Sequence, residues 1–80
     1  MVIIAVSDEP PQAIFQVSAD RGVEMGRIFD VEQGKVSPPI PLGSIFKNTP
    51  YHDWRKPEPK EAEQLFRLAE SAMKGAVKSG

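Results

Sequence analysis

The 80-residue chain has no cysteine, one histidine and one tryptophan, and each scarcity removes a class of protein. Without cysteine there is no disulfide framework and no thiolate metal site, and His52 alone cannot make a multi-histidine site. The core must therefore hold without staples, and the lack of thiols fits a reducing compartment. Long apolar runs are missing as well, since none approaches the roughly 18 residues of a membrane span. The apolar stretch 1–6 lacks a basic flank and meets Asp8-Glu9-Pro10-Pro11 too soon for a signal peptide. These features together predict a cytoplasmic protein without membrane attachment.

Catalytic and cofactor signatures are also absent. The sequence has no phosphate-cradling glycine loop, no G-x-S-x-G elbow, no H-E-x-x-H pair and no calcium loop. His52-Asp53 beside Tyr51 offers a base, a carboxylate and a phenol, but neighbours in a chain point apart unless a turn folds them together. A surface or locally hydrogen-bonded histidine explains the same residues. A core this small has little room for a pocket of several hundred Å³. The expectation is a non-enzymatic protein with no cofactor and no metal.

Eighty residues allow one domain, burying roughly 60–65% of the surface of the unfolded chain. The net charge of −1 conceals a division. Residues 1–34 carry six acids and two bases, or −4, whereas residues 35–80 carry five acids and eight bases, or +3. The two halves attract one another, either to dock a helix on its own sheet or to leave a basic face for an acidic partner.

The strongest periodic signal lies in residues 58–78. At 100° per residue, Ala62, Leu65, Phe66, Ala69, Ala72, Met73, Ala76 and Val77 share one face, with Leu68 on its flank, while Lys60, Glu63, Arg67, Glu70, Ser71 and Lys74 lie opposite. Pro59 suits a first helical turn, and Glu58 and Glu61 complement the positive end of the helix dipole. Glu63 with Arg67, and Glu70 with Lys74, are i,i+4 pairs in the favoured order. One helix cannot bury its apolar face against itself, so residues 1–57 must supply the complementary surface.

Residues 1–37 read as a β-meander. Val2-Ile3-Ile4-Ala5-Val6 is a short β-favouring run, apolar on both pleat faces, that stops at Pro10-Pro11. From Gln12 to Ala19 the odd positions Ala13, Phe15, Val17 and Ala19 form an apolar face toward the helix, with Gln12, Ile14, Gln16 and Ser18 opposite. Asp20-Arg21-Gly22 has the chemistry of a tight hairpin turn. A third strand carries Val23, Met25, Phe29 and Val31 on one face, interrupted by Arg27, and its Gly26 marks a bulge or a close backbone approach. After the turn Glu32-Gln33-Gly34-Lys35, a short fourth pairing ends at Pro38-Pro39-Ile40-Pro41. The fold class is α+β: a three- or four-stranded antiparallel β-meander packed by one C-terminal α-helix, with a proline-aromatic crossover over residues 38–57.

That crossover holds five prolines together with Phe46, Tyr51 and Trp54. Connections of this length are uncommon in compact domains unless they serve a function or are disordered, and the aromatics argue against disorder. Thr49-Pro50 is a helical start signal, predicting a short turn with Thr49 as its N-cap. Lys35 followed by Pro38-Pro39-Ile40-Pro41 fits either a polyproline-II ligand or prolines that end a sheet and fix the crossover's length. The basic and aromatic group Lys47, Tyr51, His52, Trp54, Arg55 and Lys56, with Phe46 beside it, is the candidate partner-binding site, because Trp, Tyr and Arg join large contact area to a polar handle. The competing reading is that Phe46 and Trp54 cap a core too small to close itself.

These observations point to a small protein-interaction module, such as an inhibitor or adaptor, whose partner is another protein. Single-stranded nucleic acid is the alternative, with bases stacked on the aromatics and cations on the phosphates. A pI near 5.7 lacks the basic footprint usual for that role. A homodimer formed through an open sheet edge or an apolar strip is a further expectation.

Overall fold

The first two strands of the sheet, β1 (Val2–Asp8) and β2 (Pro11–Asp20), form a hairpin closed by Glu9-Pro10, whose peptide bond is cis in the computed structural model. The structure describes residues 2–50 and 52–79, the last five of these by backbone alone. In the β1–β2 ladder Ile3 pairs with Phe15 and Ala5 with Ile14, leaving Ile4 as the extra residue of a bulge. β2 turns into β3 (Val23–Asp30) through Arg21-Gly22, with φ of 53° and 80°. Two consecutive positive φ values are what a two-residue hairpin loop needs to match the twist of its strands.

The loop after β3 is held by two hydrogen bonds, one from Gln33 N–H to the Asp30 carboxylate and one from Gly34 N–H to the Asp30 carbonyl. β4 (Lys35–Val36) then pairs with Phe29 and Asp30. Ser37 extends the pairing by exchanging backbone and side-chain hydrogen bonds with Ile28. The ladder does not end at the prolines as the sequence suggests. Pro38-Pro39 loop out, and β5 (Ile40–Pro41) rejoins β3 opposite Gly26 and Met25. Pro41 is tolerated there because β5 is an edge strand whose missing N–H is not needed by a further neighbour. The strand order is β1-β2-β3-β4, with β5 also on β3.

The C-terminal helix α2 (Pro59–Ser79) starts with a hydrogen bond from Ala62 N–H to the Glu58 carbonyl, and it packs on one sheet face. Leu65, Phe66, Ala69 and Ala72 meet Val6, Ala13, Phe15 and Phe29 there, as the periodicity requires. Leu68 is left exposed on the helix flank, and the side chains of Ala76 and Val77 lie outside the described residues. Ala19 is exposed too, because the β2–β3 hairpin runs on past the pairing with β1, which ends at Gln16. Both i,i+4 ion pairs form, Glu63 with Arg67 at 2.9 Å and Glu70 with Lys74 at 3.6 Å.

The opposite face of the sheet, to which the sequence pattern assigned no helix, is covered as well. Residues 42–48 form a second helix, α1 (Leu42–Asn48), within the stretch expected to be a loop with a short turn at Thr49. Thr49 is the C-cap of α1 rather than the N-cap of a later helix, and its hydroxyl donates to the Ile45 carbonyl at 2.8 Å. Leu42 and Ile45, three apart on α1, bury against Ala5 and Ile14, joined by Ile4, Ile28, Ile40 and Trp54. Gly26 makes this possible, since a Cβ there would overlap Leu42 Cδ2 and stand 3.0 Å from the Phe15 carbonyl. Close approach of helix to strand is thus the reason for glycine at that position.

Candidate functional site

The covering of the second face ends in a cluster of three rings. Beyond α1 the His52 N–H donates to the Thr49 carbonyl at 3.2 Å, and the chain leads past Trp54 to the bridge at Arg55. The inner side of the Trp54 indole rests on the core around Ile14 and Ile45. His52 stacks on it with centroids 5.1 Å apart and planes 16° apart, and Phe46 meets it edge-on at 6.4 Å and 88°. Aromatic pairs in these geometries gain about 0.5–1.5 kcal/mol beyond their buried area.

Polar atoms lock the rings. The Trp54 Nε1–H donates to Thr49 Oγ1 at 2.9 Å, and that same hydroxyl donates onward to Ile45. His52 Nε2 lies within hydrogen-bonding distance, 3.0 Å, of Gln12 Oε1 on a side chain rising from β2. Trp54 and His52 are therefore each held by a polar neighbour and are half-buried, while Phe46, in edge-on contact with Trp54, keeps 43% of its surface exposed. Lys47, in the last turn of α1, and Pro50 stand exposed beside them.

Arg55 sits elsewhere. Its N–H and C=O both bond to Val6 on the outer edge of β1, at 2.9 and 2.8 Å. Its guanidinium gives two hydrogen bonds to Asp8 and two to Glu61, all between 2.8 and 3.0 Å. The fork is occupied by intramolecular carboxylates, one at the end of β1 and one in the first turn of α2. Hydrogen bonds from Arg55 hold the Asp8 and Glu61 carboxyl groups below their ordinary range, and the two carboxylates raise Arg55 in turn. Lys56 is exposed on yet another surface, beside an apolar groove lined by Val2, Ile3, Ile4, Pro57, Pro59 and Ala62.

Five of the six residues singled out in the sequence are thus divided among three places. His52 and Trp54 come together with Phe46, and Lys47 adjoins them on α1. Arg55 clasps β1 to α2, Lys56 borders the groove, and Tyr51 lies outside the described residues. Gln12 and Thr49, which set the ring orientations, were not singled out as site residues. Thr49 does follow a helix-like stretch at the spacing that lets its hydroxyl return to Ile45, whereas nothing local marks Gln12, 40 positions from His52.

Another polar atom of this face is unpaired. The Ser7 hydroxyl, cross-strand from Gln12 and only 5% exposed, makes no hydrogen bond to a described residue. Among the described residues no group of three His, Asp or Glu side chains could hold a metal ion, and no helix is long and apolar enough to cross a membrane. No family model, no characterised protein and no solved structure matches this chain.

Proposed function

We propose that the chain is a small, non-enzymatic protein-interaction module, an inhibitor or adaptor, that engages a partner protein through Phe46, His52 and Trp54 with Lys47 at the rim. The observation that carries this reading is the locked ring cluster. Rings held by Thr49 and Gln12 have little rotamer freedom left to lose, so a partner that covers them is spared that entropic cost. An apolar centre beside an exposed cation also matches the usual anatomy of an interface anchor and its rim. Arg55 serves this surface as a positioning residue, since it fixes the segment that presents Trp54.

The test is co-purification with the wild-type chain, Phe46→Ala and Trp54→Phe, each checked for fold by thermal melting. One stoichiometric protein partner should be recovered by the wild type, with affinity reduced about 30-fold, or about 2 kcal/mol, by Phe46→Ala. Equal recovery by a folded Phe46→Ala chain would remove the ring cluster from the interface. Salt-sensitive retention on single-stranded nucleic acid, lost in the same variant, would replace the protein partner by the alternative ligand.

A further inference from the structure

β1 is the outermost strand of the sheet, and among the described residues only Arg55 pairs with its outer side, at Val6. That bridge is unusually well fastened. Arg55 commits both backbone groups to Val6 and four side-chain hydrogen bonds to Asp8 and Glu61, so one residue ties the crossover to both ends of what it spans. The strand beneath, Val2-Ile3-Ile4-Ala5-Val6, is uncharged and rich in β-branched residues, which is the composition of a strand prone to pair with a copy of itself.

We infer that residues 55–57 form an edge guard, and that loosening it makes β1 a strand-pairing surface for a second copy of this chain. Three features commit the occupant to a second copy. Antiparallel pairing of residues 2–6 about a twofold axis opposes no like charges, because the nearest acid on the strand is Asp8. The other edge of the sheet cannot compete, since it is interrupted by Pro38, Pro39 and Pro41. Beside β1, the groove lined by Ile3, Ile4, Pro57 and Ala62 with Val2, itself 62% exposed, offers apolar side-chain surface along the same edge. The Ile4 bulge and the Arg55 bridge are the two devices that disfavour this pairing in the closed chain. The paired edge shares no residue with the ring cluster, and its test reads self-association of the chain rather than binding of a partner.

The experiment is sedimentation across a concentration series, with amide hydrogen exchange, on the full-length wild type, Arg55→Ala and Arg55→Ala/Val2→Lys. The wild type should stay monomeric. Arg55→Ala should associate at least tenfold more strongly, with slowed exchange of β1 amides as concentration rises. Val2→Lys, which replaces the most exposed apolar side chain of that edge by a solvated cation, should return the double variant to monomer. Should Arg55→Ala not fold, Asp8→Asn/Glu61→Gln weakens the same clasp while keeping the arginine, with Val2→Lys added in the same way. A folded, clasp-weakened chain that remains monomeric overturns the inference, as does association that Val2→Lys leaves unchanged.

Discussion

The two faces of the sheet are closed by different means. On one face a 21-residue helix lays a regular apolar stripe over Phe15 and Phe29, whose rings meet at 6.1 Å. On the other, a seven-residue helix supplies Leu42 and Ile45, and single residues do the rest: Trp54 as a lid, Thr49 as its hydrogen-bond anchor, and Gly26 as the space that admits Leu42. A periodic cover tolerates change at any one position better than a cover assembled from individual fits. The irregular cover, in return, leaves rings half-exposed in fixed orientations, which is what a recognition surface requires and what an extended helix over a closed core does not provide.

The comparison breaks most severely at the sheet's centre. Phe15 and Phe29 are fully buried, whereas Phe66 on the helix above them is only half-buried. Phe15→Ala should cost about 3–5 kcal/mol, a large share of the stability of so small a domain, and Phe66→Ala should cost less because solvent already reaches its ring. Urea denaturation of both variants checks the order, and a larger loss for Phe66→Ala would mean that the helix rather than the strands anchors the core.

The second face can be broken without removing any apolar atom. Gly26→Ala adds one methyl where Leu42 and the Phe15 carbonyl already sit, and should destabilise by roughly 1–3 kcal/mol. Leu42→Ala would make room for it, so the double variant should show a coupling of about 0.5–3 kcal/mol, lower in cost than the sum of the two. Additive losses would show that α1 lies off β3 in solution.

How much of this the sequence revealed follows the same division. Residues 59–74 and 13–15 follow the periods of helix and strand, so the face they share was legible from spacing alone. Ile14 and Ile28 also stood in the sequence as apolar residues on the second face, but two isoleucines among glutamines and acids do not form a stripe. Helix α1 was missed because a seven-residue segment containing Gly43 and Ser44, bounded by Pro41 and Pro50, has no intrinsic helical preference to detect; burial of Leu42 and Ile45 overrides propensity there. In the candidate site the aromatic residues were legible as a type, and the allocation of Arg55 was not. Its partners Asp8 and Glu61 lie 47 and 6 positions away, and only the closed sheet brings the first within reach.

A smaller effect of opposite sign is expected at Ser7. Its hydroxyl is buried beside the second face without a hydrogen bond, so Ser7→Ala removes a desolvated polar group and leaves the packing almost unchanged. The expected outcome is a gain of up to about 1 kcal/mol, read as a raised melting temperature. A loss of stability would mean that the hydroxyl is bonded, for instance through an ordered water, and that the irregular face contains one more fixed polar contact.

The smallest expected effect concerns the clasp that joins the two faces. Arg55 lowers the carboxyl groups of Asp8 and Glu61 from their ordinary values of 3.8 and 4.5. A group held lower in the folded state than in the unfolded one contributes stability that is fully present above its unfolded value and is lost as pH falls through its folded value. The contribution should therefore be constant above about pH 5.5, where both unfolded carboxyl groups are ionised, and decline below about pH 4.5. These side chains are exposed enough for water and salt to screen them, so the decline should be shallow and should shrink further as ionic strength rises. Melting temperatures of the wild type and of Asp8→Asn/Glu61→Gln, taken from pH 7 to pH 3 at low and high salt, isolate it: the gap between the two proteins should close on acidification and with salt. A gap that stays constant across that range would mean that the clasp holds Arg55 by hydrogen-bond geometry alone, with no share from ionisation.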